Sequence, residues 1–275
     1  MVKTKVIAFA GCILLLASCS PSFSWNRIVA DGSRTGVKPV TIANASEALG
    51  SVEDGVYTAP SQRVFENGAT PKVAADLIEV QPQMRDLKQI VGYAPRAMES
   101  HRPQSELSNF TVDTIMEGVE AVTGRKVDVG ITNFGGIRCD VPQGEVLKDD
   151  FVSMFPFKNY LCYVKLSGRR LREIYTAMVE NRSLQVLGGV ELVVSGDKIE
   201  SITIGGEPLD DERSYGLATI DFLLKTGDNL HLGDDALEVV VSDTLIIDYI
   251  LPKIVEMGKR GEAIEYHLDN RIVIK

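Results

Sequence analysis

The sequence predicts one mixed-sheet α/β (α+β) domain behind an N-terminal leader. Three observations carry this. Runs of helical period 3.6 and short strand-like apolar runs are mixed along the chain, without strict strand–helix–strand alternation. Glycine-containing turn sequences separate most of the strand-like runs. The 275 residues are 44% hydrophobic and 24% charged, which suits an ordinary globular core and excludes collagen, a coiled-coil rod or global disorder. There is no internal repeat. The net charge of −9 sets non-specific nucleic-acid binding aside, since that needs a basic surface.

The first eighteen residues read as a signal peptide. Lys3 and Lys5 form a positive start, and Val6 to Ala17 is an apolar run shorter than the roughly 20 residues that span a bilayer. The run ends in Leu16-Ala17-Ser18-Cys19, which resembles a bacterial lipobox. Cys19 is then expected as the lipidated N-terminus of the mature chain, placed in the cell envelope and facing the periplasm; an ordinary cleaved signal with a chance cysteine, or a short membrane anchor, is the alternative. Residues 19–45 read as an irregular tether. Residues 46–71, with Gly50, Gly55, Pro60 and Gly68, read as an irregular lead-in with one short strand near Val56-Tyr57.

The domain is expected over 72–275. Val73, Leu77, Val80, Met84, Leu87 and Val91 recur at helical spacing as an inward stripe, with Pro82 kinking or dividing it. A second helix is expected from Ser105, facing inward at Val112, Ile115, Val119 and Val122 and stopping at Gly124. Val127 to Thr132 is a strand that runs into Asn133-Phe134-Gly135-Gly136-Ile137-Arg138. Tyr160 to Leu166 is a further strand. The helix after it turns Leu171, Ile174, Tyr175 and Met178 inward. Strands are expected at Val190–Val194, Ile199–Ile204, Tyr215–Ile220 and Leu237–Val241, with hairpin turns at Ser195-Gly196-Asp197 and Gly205-Gly206. A last helix is expected from Asp243 to Met257, capped by Ser242, and Arg271 to Ile274 closes the chain as an edge strand. Cys12 leaves with the leader. Cys139 and Cys162 remain, and an envelope location permits either a bridge or two separate thiols.

Little in the chain specifies a catalytic centre. His101, His231 and His267 are its three histidines, and none lies in a metal-like cluster of the several His and carboxylate ligands that a two-metal site needs. A G-x-S-x-G nucleophile elbow is absent. The glycine turn is more informative. Gly135 and Gly136 let backbone approach a ligand, and Arg138 offers a planar fork of donors that matches a phosphate or carboxylate. The same residues also suit a plain tight turn.

Asn133 to Arg138, then Pro156-Phe157, then Phe222 and Gly227-Asp228, stand in an order and spacing that resemble the C-terminal domain of the 5′-nucleotidase family. Asp128 to Thr132, Tyr163 to Gly168 with Leu171, and Ser105 to Phe110 with Asp113 resemble its flanking elements. The resemblance covers roughly residues 72–275. It implies that Phe157 and Phe222 sandwich a nucleobase, that Asp228 accepts from the ribose hydroxyls, that Arg138 reaches the ribose or phosphate, and that Asn133 contacts the nucleoside, with Gly135 and Gly136 among the substrate-binding residues. Phe134 and Lys225-Thr226 depart from the family pattern, and Arg102 lies near, not on, the place of a family arginine. Phe157 and Phe222 also suit a core, and Asp228 a turn.

The function so implied is the nucleoside- or nucleotide-binding half of a split 5′-nucleotidase. No cofactor is expected in this chain. Divalent metals belong to a metallophosphoesterase partner chain that performs the phosphomonoester hydrolysis in trans. The alternatives are a non-catalytic nucleoside-binding lipoprotein, or an envelope structural protein with a lost site.

Overall fold

The computed structural model describes residue 40 and residues 43–275. The leader and Cys19 lie outside the described residues. Among those residues, no helix is long and apolar enough to cross a membrane.

The lead-in is more regular than its glycines and proline suggest. It forms helix α1 (Ala45–Leu49) and a three-stranded meander of β1 (Ser51–Glu53), β2 (Val56–Thr58) and β3 (Val64–Phe65). The turn residues make short antiparallel hairpins here instead of irregular chain. Helix α2 (Thr70–Val80) follows and packs on β1 and β2. The expected helical stripe therefore stops early. Pro82 sits in a 3-10 turn (Gln81–Met84), and Val91 belongs to a strand, β4 (Ile90–Ala94). Val73 and Leu77 stay about half exposed, at 52% and 51%, so the stripe covers the small meander and not the main core. Strand β4 pairs antiparallel with β6 (Gly144–Leu147).

The centre of the molecule is a five-stranded mixed sheet. Its strands are β5 (Val129–Thr132), β7 (Tyr160–Ser167), β8 (Val186–Gly188), β12 (Ser214–Ile220) and β13 (Glu238–Leu245), in the order β13-β7-β12-β5-β8. Strands β5 and β12 are buried along almost their whole length, as strands covered on both faces must be. Helix α3 (Glu106–Thr123) lies across β5, β7, β8 and β12. Helix α5 (Gly168–Glu180) packs against β7 and against β10 (Lys198–Ile204). Strand β10 belongs to a second sheet with β9 (Val190–Ser195), β11 (Glu207–Pro208) and β14 (Ile272–Ile274), in the order β11-β10-β9-β14. The C-terminal β14 is thus an edge strand, as expected.

The ends of α3 match their sequence signals. The Ser105 hydroxyl accepts from the Ser108 amide at 3.1 Å, and the Ser108 hydroxyl accepts from the Ser105 amide at 2.8 Å, a reciprocal cap of both orphan donors. Gly124 ends the helix in the left-handed region at φ 65°, where a residue without Cβ is unstrained. Val112, Ile115 and Val119 are buried, while Val122 is 38% exposed. Leu171, Ile174, Tyr175 and Met178 of α5 are all buried. The last helix, α6 (Ile246–Lys259), begins three residues later than expected. Residues Asp243 to Leu245 prolong β13, and the Ser242 hydroxyl accepts from the Thr244 amide within that strand at 3.2 Å instead of capping a helix. Cys162 is a buried free thiol, so no bridge joins it to Cys139.

Candidate functional site

Sheet register decides which loops meet. Strand β12 runs parallel to β5, with Leu217 beside Val129, so both strands end on the same side of the sheet. Strand β7 runs antiparallel to β12, with Leu161 opposite Ile220, so it begins on that side. The turn after β5, the loop before β7 and the loop after β12 therefore converge at one end of the sheet. These loops carry Asn133 to Arg138, Phe157, and Phe222 with Asp228.

The turn after β5 is a 3-10 turn at Phe134–Gly136. The Gly136 amide donates to the Asn133 carbonyl at 3.1 Å and the Ile137 amide to that of Phe134 at 3.2 Å. A Cβ on Gly136 would stand 2.8 Å from Asn133 Oδ1, so this glycine makes room for the Asn133 side chain as well as for any ligand. Asn133 is buried, and its Oδ1 has no hydrogen-bond partner among the described residues. A buried acceptor without a donor is costly, and one beside an open turn is an acceptor held ready. Gln185 fixes the turn from β8's side, its Oε1 accepting from the Phe134 amide at 3.3 Å.

Arg138 is exposed and anchored at its backbone, where its amide donates to the Met154 carbonyl at 3.0 Å. Met154 ends helix α4 (Lys148–Met154). The Arg138 guanidinium donates to the Gly135 carbonyl at 3.3 Å and lies 6.0 Å from the centre of the Phe157 ring. Phe157 is 49% exposed and Phe222 is 48% exposed, so neither is a core residue. The two rings are not stacked on each other. Beneath Phe157 a cavity of only about 10 Å³ runs from Thr132, Gly136 and Ile137 to Thr111 and Ile115 of α3, and Phe222 does not border it.

Phe222 lies in a 3-10 turn (Asp221–Leu223), and Asp228 in the next one (Gly227–Asn229). Gly227 is pressed against Phe222, since a Cβ there would meet the Phe222 carbonyl oxygen at 2.1 Å and its ring at 2.8 Å. Asp228 is exposed at φ 47°, a left-handed conformation that Asp and Asn tolerate best among residues with a Cβ. Sequence reasoning missed the residue joining the two aromatic loops. The Asp221 carboxylate accepts from the amides of Tyr160 and Phe222, each at 3.0 Å. Burial, and secondarily the Asp221 carboxylate, push the neighbouring Cys162 thiol up to about 12, so it stays protonated. Sequence reasoning also missed the use of Phe134, whose ring takes the Arg102 guanidinium 4.6 Å from its centre. A residue that departs from the expected glycine thus provides a cation–π shelf.

The family model for the 5′-nucleotidase C-terminal domain matches residues 87–234, more than half of the chain. The chain belongs to this 5′-nucleotidase C-terminal domain family. The match includes Asn133, Gly135, Gly136, Arg138, Phe157, Phe222 and Asp228. Protein UshA of Yersinia enterocolitica is 29% identical over 153 residues, covering 54% of this chain and 28% of that protein. An apyrase of Tabanus yao is 31% identical over 147 residues, covering 44% of this chain and 26% of that protein. The crystal structure of a 5′-nucleotidase precursor from Thermus thermophilus superposes with a TM-score of 0.64 at 20% identity, covering 79% of this chain and 45% of that one; this is a likeness of fold. The matched stretch takes up less than a third of either sequence relative. What the 5′-nucleotidase C-terminal domain family gives directly is the fold and a nucleotide-related role.

Proposed function

We propose that this chain holds the nucleoside part of a nucleotide for phosphomonoester hydrolysis, with a metallophosphoesterase chain supplying the metals and the attacking water. The observation that carries this reading is the pair of half-exposed rings, Phe157 and Phe222, at one sheet end beside Arg138. Exposed rings held on short, tied loops are costly unless something covers them, and a nucleobase stacks on such rings with about 1–3 kcal/mol per base. Asp228, next to Phe222 through Gly227, suits a vicinal diol as an acceptor. Arg138 suits the anionic end, and the unpartnered Asn133 Oδ1 suits a ligand donor. Among the described residues, no three His, Cys, Asp or Glu side chains converge as a metal-binding group, so the proposal takes its two cations from the partner, where they polarise the phosphoryl group and activate water. The chain works at the envelope, anchored by lipid on Cys19.

Calorimetric titration with AMP and adenosine tests the binding half. Phe157→Ala and Phe222→Ala should each weaken binding by about 1–3 kcal/mol, with melting temperature nearly unchanged because both rings are exposed. Asp228→Ala should lose affinity for adenosine and leave adenine alone. Binding that ignores all three substitutions overturns the site. Phosphate release from AMP, measured with and without the separately expressed metallophosphoesterase, tests the catalytic half. A partner equally active with and without this chain overturns the split arrangement and leaves a nucleoside-binding lipoprotein.

A further inference from the structure

The loop before β8 stands at the same sheet end as the nucleoside loops, because Val186 at the start of β8 pairs with Thr132 at the end of β5. On that side of the Phe134 turn lies a second cleft of about 560 Å³, within the roughly 300–1,000 Å³ usual for small-ligand sites. Its apolar lining comes from four elements: Val179 near the end of α5, Leu184 before β8, Val194 on β9 and Ile274 on β14. Two guanidinium groups, Arg102 and Arg182, share that lining with a single carboxylate, Asp197, in the β9–β10 turn. Neither arginine is paired with a carboxylate among the described residues. Arg102 is held instead on the Phe134 ring, 4.6 Å from its centre, which fixes its direction without neutralising it.

An apolar lining with two unpaired guanidinium groups matches one ligand chemistry. A small amphipathic anion lays its apolar body on Val179, Leu184, Val194 and Ile274 and its head between the arginines. Guanidinium forks bind carboxylate, sulfonate or phosphate heads through charge-assisted hydrogen bonds. We propose that this cleft is a second small-molecule site, for such an anion, separated from the nucleoside site by the Arg102–Phe134 stack. The proposal does not depend on the nucleotide reading, since none of its apolar lining residues serves that site.

The probe is 8-anilinonaphthalene-1-sulfonate, titrated into the full chain by fluorescence. One saturable site is expected, displaced by octanoate and not by 1-octanol. Arg102→Gln and Arg182→Gln should each weaken it about three- to tenfold, as loss of one charge-assisted contact does. Asp197→Asn should strengthen it, because it removes the opposing charge; this exposed turn substitution keeps the test decisive if an arginine variant unfolds. Phe157→Ala and Phe222→Ala should leave the probe unchanged even if they abolish AMP binding. Absence of a saturable site overturns the proposal. So does a probe affinity indifferent to Arg102, Arg182 and Asp197, or one lost on Leu77→Asp, which places the dye on the exposed face of α2.

Discussion

Gly227 shows how closely a single position governs the candidate site. The Phe222 carbonyl oxygen lies 2.1 Å from where its Cβ would be, and backbone cannot swing aside as a side chain can. Gly227→Ala must therefore displace either the Phe222 turn or the Asp228 turn. AMP affinity is expected to fall at least as far as in Phe222→Ala, by about tenfold or more, in a protein that still melts cooperatively. Titration beside thermal melting checks this, and an unchanged affinity would show that the two turns do not act together. At Gly136 the neighbour is the Asn133 side chain, which can rotate, so the same substitution there is milder. Phe134 and Arg102 illustrate what a sequence hides. Each reads as a departure from a pattern, and only their contact shows that they are one feature.

At the scale of elements, the site depends on two loops being tied at their roots. Asp221 accepts from the first amide of β7 and from the Phe222 amide after β12. Asp221→Ala leaves both donors to solvent and should cost about 1–2 kcal/mol of stability. It should also weaken AMP binding, because Phe157 and Phe222 lose their common anchor. Asp221→Asn keeps one acceptor oxygen and should recover much of both losses. Urea unfolding and AMP titration of the two variants decide the matter; full affinity in Asp221→Ala would mean that the rings are held by packing alone. The periodic elements were legible because their signals are local. Ser105 and Gly124 bracket α3, and the buried face of α5 follows its spacing. Of the lead-in strands only β2 was legible, near Val56-Tyr57; β1, β3, β4, β6 and β8 were not, because two to five residues carry too little pattern to separate strand from loop.

Across the whole molecule, one buried cation locks the C-terminal segment to the central helix. Arg271 is 7% exposed, and its guanidinium donates to both oxygens of Asp113 at 2.9 and 2.8 Å and to both of Asp269 at 2.8 and 2.6 Å. The Tyr266 hydroxyl donates to Asp113 at 2.7 Å. Hydrogen bonding from Arg271 holds the Asp269 carboxyl below the usual carboxylate range. A depressed carboxylate stabilises the fold above its unfolded value, about 3.9, and that contribution is lost as pH falls through the lower folded value. Asp150 has the opposite sign, since burial raises it and its contribution is greatest at low pH. Asp269→Asn should therefore flatten the acid limb of stability below about pH 4, measured by urea unfolding from pH 3 to 7. An acid limb identical to that of the unsubstituted chain would show that Asp269 titrates alike in folded and unfolded states.

By itself the sequence determined the mixed α/β class, α3 with both its caps, the inward face of α5 and the longer strands, and the resemblance of its ordered motifs to a family marked Asn133, Arg138, Phe157, Phe222 and Asp228. The helices and strands are set by residues within about one helical turn or one hairpin of each other, where periodicity and turn chemistry act. The tertiary structure alone decided that these five residues stand at one sheet end, because parallel β5–β12 and antiparallel β7–β12 pairing joins segments distant in the sequence, such as Leu217 with Val129 and Ile220 with Leu161. It alone showed that Phe157 and Phe222 are exposed, that Cys162 is an unbridged thiol, and that Arg271, which reads in sequence as the start of an edge strand, is a buried charge shared by Asp113 and Asp269. It alone opened the cleft between Arg102 and Arg182. Such features follow from register and packing between distant segments, and these are fixed only when the apolar faces of all the elements are buried together.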